Sequence, residues 1–380
     1  MKIKYIANAR MPTEKAHGLQ IISMCNEFAK QNIDVELIAP NRFNKIKESI
    51  NSFYGTEIYF NIKKVFCIDT IPIIKDWLPR FIRIFLLWIE KVSFFLICLK
   101  FLDNNPIIYT REPEIALFLG SLKKNCVCEI HALPKKGKIF YANLFKKLNK
   151  IITINRQIKN ILIKEYDINP SKILVAHDAV DIKKFDIKIS KEKARKKLRF
   201  SLNKKIVLYT GHLYDWKGAD VLAKSIDDIK DKEILLVFVG GTDKDIKSFK
   251  NKHKSEQIRI EGRKKHDLIP FYLKAADILI LPNSRKTNIS KYYTSPLKLF
   301  EYMASKRPII ASDLPSIKEI VSKKEVLFFK ADDSKDLALN ITKLLKDKKL
   351  KERLSKNAFE KVKSYTWGKR VKEIINFIQC

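Results

Sequence analysis

The sequence predicts an α/β protein of two doubly wound domains, and three observations carry that reading. Its 380 residues, 46% of them hydrophobic, exceed what a single core commonly serves. Short β-branched runs recur along the chain with helical patterns between them, as in parallel sheets built from βαβ units. A charged stretch poor in large apolar runs, DIKKFDIKISKEKARKKLRFSLNKK at 181–205, breaks the alternation and reads as a linker.

The first set of strands is predicted at 2–8, 34–40, 107–110, 127–130, 151–155 and 173–177. The second is predicted at 205–211, 234–241, 258–262, 278–283, 308–313 and 326–329. These give a first domain over 1–185 and a second over 186–365. The closing segment WGKRVKEIINFIQC sets Val371, Ile374, Ile375 and Ile378 on one helical face, so a helix at 366–380 is expected to pack back on the first domain. Ligands of such sheets bind beyond the carboxyl ends of the strands, so the two domains are expected to face a central cleft.

The segment WLPRFIRIFLLWIEKVSFFLICLKFL, 77–102, approaches the length of a membrane span, but Arg83, Glu90, Lys91 and Lys100 interrupt it. It reads first as a buried helix, or pair of helices, covering a sheet. The competing reading is a helix lying in a membrane interface, its basic residues meeting anionic headgroups. The start, MKIKYIANAR, lacks the apolar core of a signal peptide, which predicts a cytoplasmic protein. The six cysteines are scattered without zinc spacing, and Cys126 and Cys128 share one strand face.

Lys and Arg number 76 against 42 Asp and Glu, a formal charge of +34. Either an anionic partner answers it, such as lipid, nucleic acid or substrate, or it reflects a Lys-, Ile- and Asn-rich coding bias. No nucleic-acid module is recognisable, and the aromatics sit mostly within apolar runs, so a nucleic-acid binder is the remote alternative. The stretch ALPKKGKIFYANLFKKLNKI at 132–151 mixes lysines with Phe140, Tyr141, Leu144, Phe145 and Leu148, which suits either an anionic membrane surface or a plain basic helix face.

Several loops follow strands. YTGHLYDWKG ends a strand at Gly211 and presents His212 and Lys217 before a helical pattern, either a phosphate site or a glycine turn with a solvated lysine. GGTDKDI contains Asp243 and Asp245, which open a helix as caps rather than hold a metal. EGRKKHDL ends a third strand at Gly262, where Arg263 could border a flat ligand. TSPLKLFEYMA starts a helix near Ser295 or Pro296, with Ser295 as the cap. Its first amides and Lys298 suit a phosphate, and Glu301, a turn further in, suits the hydroxyls of a ribose.

Taken in order and spacing, YTGHLYDWKG, FYLKAADILILPNS and TSPLKLFEYMASKRPIIASDLPSIKEIV resemble the group 1, family four, retaining glycosyltransferases. The first half resembles them more loosely, through MPTEKAHGLQIISMCNEFAKQNIDVELIAP, CEIHALP and VAHDAVDIKKF. The resemblance implies the GT-B fold, two Rossmann-like domains, and a UDP- or GDP-linked sugar donor used without metal or other cofactor. It assigns the donor diphosphate to Lys217, Lys298 and the loop Thr294, Ser295, Pro296 and Leu297, with Gly211 and His212 beside them. Glu301 falls to the nucleotide ribose, Gly262 and Arg263 to the base, His131 to the transferred sugar, and Gly18 to the phosphates or acceptor. Arg10, His17 and Arg111 are the acceptor-side candidates.

Two departures from the family pattern stand out. His212 replaces an arginine, and Tyr293 replaces the first of two glutamates with seven residues between them. The implied chemistry is front-face transfer of a sugar to a glycan or polyprenyl-linked acceptor in surface polysaccharide assembly, at the inner membrane face. A non-catalytic scaffold or nucleotide-sugar sensor is the alternative that Tyr293 keeps open.

Overall fold

The computed structural model describes residues 1–380 apart from 75–76, 103–105, 123–124 and 135–136. The chain divides into two compact units, one of Met1–Ala176 with Val371–Cys380 and one of His177–Arg370. The expected α/β, doubly wound architecture is present in both.

In the first unit the strands are β1 (Lys2–Ile6), β2 (Asp34–Asn41), β3 (Asn61–Phe66), β4 (Ile107–Thr110), β5 (Cys126–Ile130), β6 (Lys150–Thr153) and β7 (Ile173–Val175). They form one parallel sheet in the order β3-β2-β1-β4-β5-β6-β7. Strand order reverses beside β1, whose Ile3, Tyr5 and Ile6 are fully buried, so the site of such a sheet is expected at its carboxyl edge there. The sequence reading missed β3. It is an edge strand in which only Val65 is buried, so it lacks the apolar run that betrays an inner strand.

The second unit holds β8 (Lys205–Thr210), β9 (Ile234–Val239), β10 (Ile258–Gly262), β11 (Ile278–Leu281), β12 (Ile309–Ser312) and β13 (Leu327–Phe329). Its parallel sheet runs β10-β9-β8-β11-β12-β13, reversing beside β8. The central strands read as continuous apolar runs because helices cover both faces.

The expected linker is folded structure. Residues 181–205 contain the helices Ile182–Phe185 and Lys191–Lys197, and Phe185, Ala194 and Phe200 belong to the second unit's core. Arg195 is buried within it, donating to the carbonyls of Ala275, Leu202 and Lys204 and pairing with Asp277 at 2.6 Å. A lysine-rich surface hid a few apolar anchors. The unit boundary accordingly falls at Ala176, before the expected residue 185, because Val180 packs in the second unit and its amide bonds the Tyr365 carbonyl.

Segment 77–102 departs from its first reading. It is a single helix, Arg80–Leu99, that buries Glu90, Phe94, Phe95 and Cys98 and leaves its other face bare. No helix among the described residues is long and apolar enough to cross a membrane. In 132–151, Leu144, Phe145 and Leu148 turn into the core, while Ile139 and Phe140 stay exposed; Lys135 and Lys136 lie outside the described residues. The closing helix Trp367–Gln379 buries Val371 and Ile374, and Lys150 sits 4.5 Å over the Phe377 ring.

Candidate functional site

In the second unit the site grows from the end of β8. Thr210 donates its amide to the Tyr302 hydroxyl at 2.9 Å, and the two hydroxyls lie 3.1 Å apart, which pins the helix Leu297–Ala304 to the strand end. Gly211 follows with φ 129°, and a side-chain carbon there would stand 2.9 Å from the Lys298 ammonium. Lys298 Nζ is buried without a hydrogen-bond partner among the described residues, 4.0 Å from the centre of the Tyr209 ring. The second lysine comes from the turn Asp215–Lys217. Gly218 closes that turn at φ 72°, so near the Pro282 carbonyl that a side-chain carbon would lie 1.7 Å from its oxygen.

Burial pulls the pKa of Lys217 down to about 8. Lys298 is held well below the ordinary lysine range, first by burial and then by the charge of Lys217, against the pull of Glu301. Two cations short of counter-charge, with a helix start beside them, make an anion site.

Glu301 lies close to this pair. Its Oε1 is 3.2 Å from His266 Nε2, its side chain is 12% exposed, and it attracts the partly buried Lys184. The sequence reading passed over His266 and Lys184 because neither follows a strand directly. It also passed over Asn283, whose side-chain oxygen and nitrogen are both buried without hydrogen-bond partners among the described residues, just beyond β11. The predicted strand at 278–283 takes in Asn283 as its last residue.

The expected cap is corrected. Pro296 occupies the N-cap position, and no side chain caps the helix. Ser295 instead accepts the Asp178 amide at 3.0 Å, which leaves the first-turn amides uncapped. Thr294 and Ser295 are buried in this loop. His212 stacks on Tyr214 with ring centres 4.8 Å apart, and its carbonyl accepts the Tyr209 hydroxyl. Gly262 ends β10 and accepts the Gly240 amide at 2.8 Å, with Arg263 next in the chain. Of the two acids expected as caps, Asp245 makes a reciprocal capping box with Thr242, which holds the N-cap position, and Asp243 lies in the first turn.

In the first unit His131 follows β5 and lies 2.6 Å from the fully buried Glu129. The same carboxylate accepts the Gln20 amide at 2.7 Å and the Tyr109 hydroxyl. Arg111 donates to Gln20 Oε1 at 2.8 Å and reaches the His17 carbonyl. A carboxylate has only acceptors to offer, so it places a proton of His131 on Nε2 and fixes the orientation of the ring. Glu129 was missed because it sits inside an apolar strand, VCEI.

Arg10, His17 and Arg111 all line one cavity of about 790 Å³, together with Lys15, Arg42 and Glu112. Arg10 pairs with Asp69 and donates to the Phe43 carbonyl. Burial lowers the pKa of His17 to about 4, with Arg111, Lys15 and His131 pushing the same way, so the imidazole is neutral at physiological pH. Gly18 is accounted for by packing, since a side-chain carbon there would lie 2.1 Å from the Tyr54 hydroxyl.

The family described as glycosyl transferases group 1 matches residues 190–361. An uncharacterised glycosyltransferase of Methanocaldococcus jannaschii is 25% identical over 60% of this chain and 58% of its own length. Spore coat protein SA of Bacillus subtilis is 26% identical over 59% of this chain and 63% of its own. The chain thus spans less than two thirds of these relatives. Among solved structures, Anabaena HepE in complex with UDP matches with a TM-score of 0.75 at 13% identity, covering all of both chains. Sucrose-phosphate synthase from Thermosynechococcus elongatus matches at 0.77 with 17% identity, over 100% of this chain and 98% of that one. These structural likenesses bear on the fold.

Proposed function

We propose that this chain, whose residues 190–361 match the family described as glycosyl transferases group 1, moves a sugar, with retention, from a UDP- or GDP-linked donor to a lipid-borne or glycan acceptor at the inner face of a membrane. The observation that carries the proposal is the pair formed by Lys298, its ammonium buried without a hydrogen-bond partner among the described residues, and the half-buried Lys217, beside a helix start that no side chain caps. A donor diphosphate supplies the missing charge.

Breaking the bond from sugar to phosphate builds negative charge on the leaving diphosphate. Preorganised ammonium groups and amides stabilise that charge as it develops. Lys217, Lys298 and the amides after Pro296 do so here, while Glu301, oriented by His266, accepts from the ribose hydroxyls and Gly262 and Arg263 border the base. In the first unit His131, steadied by Glu129, serves the transferred sugar, and the cavity lined by Arg10, His17 and Arg111 serves the acceptor. HepE was crystallised with UDP, which favours a uridine donor as the first to try.

The second reading, a nucleotide-sugar sensor, rests on Tyr293 in place of an acidic residue. Incubation with UDP- and GDP-sugars, followed by release of nucleoside diphosphate, separates the two. The enzyme reading predicts release that Lys217→Ala and Lys298→Ala abolish. Binding without release or transfer to any acceptor would leave the sensor.

A further inference from the structure

More than half of the exposed large apolar residues among those described fall between Phe66 and Leu96. On the helix Arg80–Leu99 they are ordered. Phe81 (73% exposed), Phe85 (64%), Trp88 (50%), Val92 and Leu96 follow one another at spacings of four, three, four and four, a single stripe along the helix. The opposite face is locked. Glu90 pairs with Arg42 at 2.6 Å, both side chains almost fully buried, and accepts the Thr70 hydroxyl. Rolling the stripe inward would break a buried ion pair, so the aromatics are held outward.

The bare surface continues onto neighbours. Edge strand β3 adds Phe66, 81% exposed, and beyond it the Ile68 amide donates to Ser93 of the helix. On another side, Lys91 and the Tyr141 hydroxyl meet at Glu114, which brings alongside the helix Lys138–Lys147 with its exposed Ile139 and Phe140. Basic residues rim the patch: Arg80, Lys64 and Lys100 are exposed, and Lys138 opens the neighbouring helix.

We infer that this face of the first unit docks on a bilayer surface carrying anionic lipid. Three features select that occupant. Tryptophan and phenylalanine in a one-sided stripe suit the headgroup boundary, where a helix lies in the plane with its apolar face immersed. The lysines and arginines at the rim, on a chain of charge +34, complement anionic headgroups and oppose pairing with a second copy of the same basic surface. The helix carries Arg83, Glu90 and Lys91 and does not meet the requirements of a span, so it lies on the bilayer rather than across it. The inference rests on the proposed lipid-borne acceptor for its meaning, but its evidence is independent of the donor site.

The test is sedimentation of the full chain with vesicles of phosphatidylcholine alone, or of phosphatidylcholine with phosphatidylglycerol. Alongside it, size-exclusion chromatography runs at several concentrations, and UDP and GDP titrations check both proteins. Wild type is expected to bind the anionic vesicles preferentially and to be released by salt. The double variant Phe85→Ser, Trp88→Ser is expected to partition about tenfold or more weakly, with nucleotide binding unchanged as proof of folding. Indifference to phosphatidylglycerol, or a double variant that sediments like wild type, would overturn the inference. So would concentration-dependent association lost in the variant with vesicles ignored, since the patch would then be a self-association surface. Vesicle binding retained while neither nucleotide binds would leave the docking surface standing and sink the donor assignment instead.

Discussion

Lys298 places a cation where folding alone would not. Its ammonium is buried, has no hydrogen-bond partner among the described residues and is repelled by Lys217, an arrangement that costs stability unless an anion arrives. Lys298→Met, apolar and of similar length, is therefore expected to raise unfolding stability by about 1–3 kcal/mol while abolishing nucleotide binding; denaturant melts with parallel titrations check both. Lys217 adds a pH signature. A lysine with its pKa lowered to about 8 is charged below that pH and neutral above it. UDP or GDP affinity should fall as pH rises past 8, and Lys217→Arg should lessen the fall. In the first unit, Glu129→Gln removes a carboxylate that fixes the proton of His131. Transfer should slow by at least about tenfold with donor affinity unchanged, and a loss of affinity would contradict the positioning role.

The elements explain why these side chains meet. Tyr302 ties the helix Leu297–Ala304 to Thr210, and Gly218 lets the turn carrying Lys217 press against Pro282. Gly218→Ala puts a carbon into that carbonyl at positive φ, so it should destabilise the protein by about 2 kcal/mol or more, read as a shifted denaturation midpoint. Much of this was legible: inner strands announce themselves as apolar runs, and the loops after them carry the lysines and glycines. What stayed hidden had physical reasons. Edge strand β3 buries one side chain, the supposed linker anchors itself through Phe185, Ala194, Arg195 and Phe200 beneath a lysine-rich surface, and Glu129 looked like an ordinary strand residue. Ser295 fits the pattern of a cap, but its hydroxyl goes to Asp178, a partner more than a hundred residues away that local spacing never reveals.

At the scale of the molecule, two parallel sheets of seven and six strands each reverse order beside a central strand, and each unit gathers its candidate residues at the strand ends. The first unit adds a wide apolar face to its cavity, while the second concentrates buried positive charge. The sequence read the sign of the charge correctly but not its arrangement, because burial and stripe direction follow from tertiary packing. The measurement that bears most directly on the central claim is calorimetric titration of the purified protein with UDP and with GDP, repeated on Lys298→Met. Binding of one nucleotide by wild type and its loss in a variant that melts later is the predicted result. A folded wild type that binds neither, or a Lys298→Met protein that binds as tightly as wild type, would contradict it.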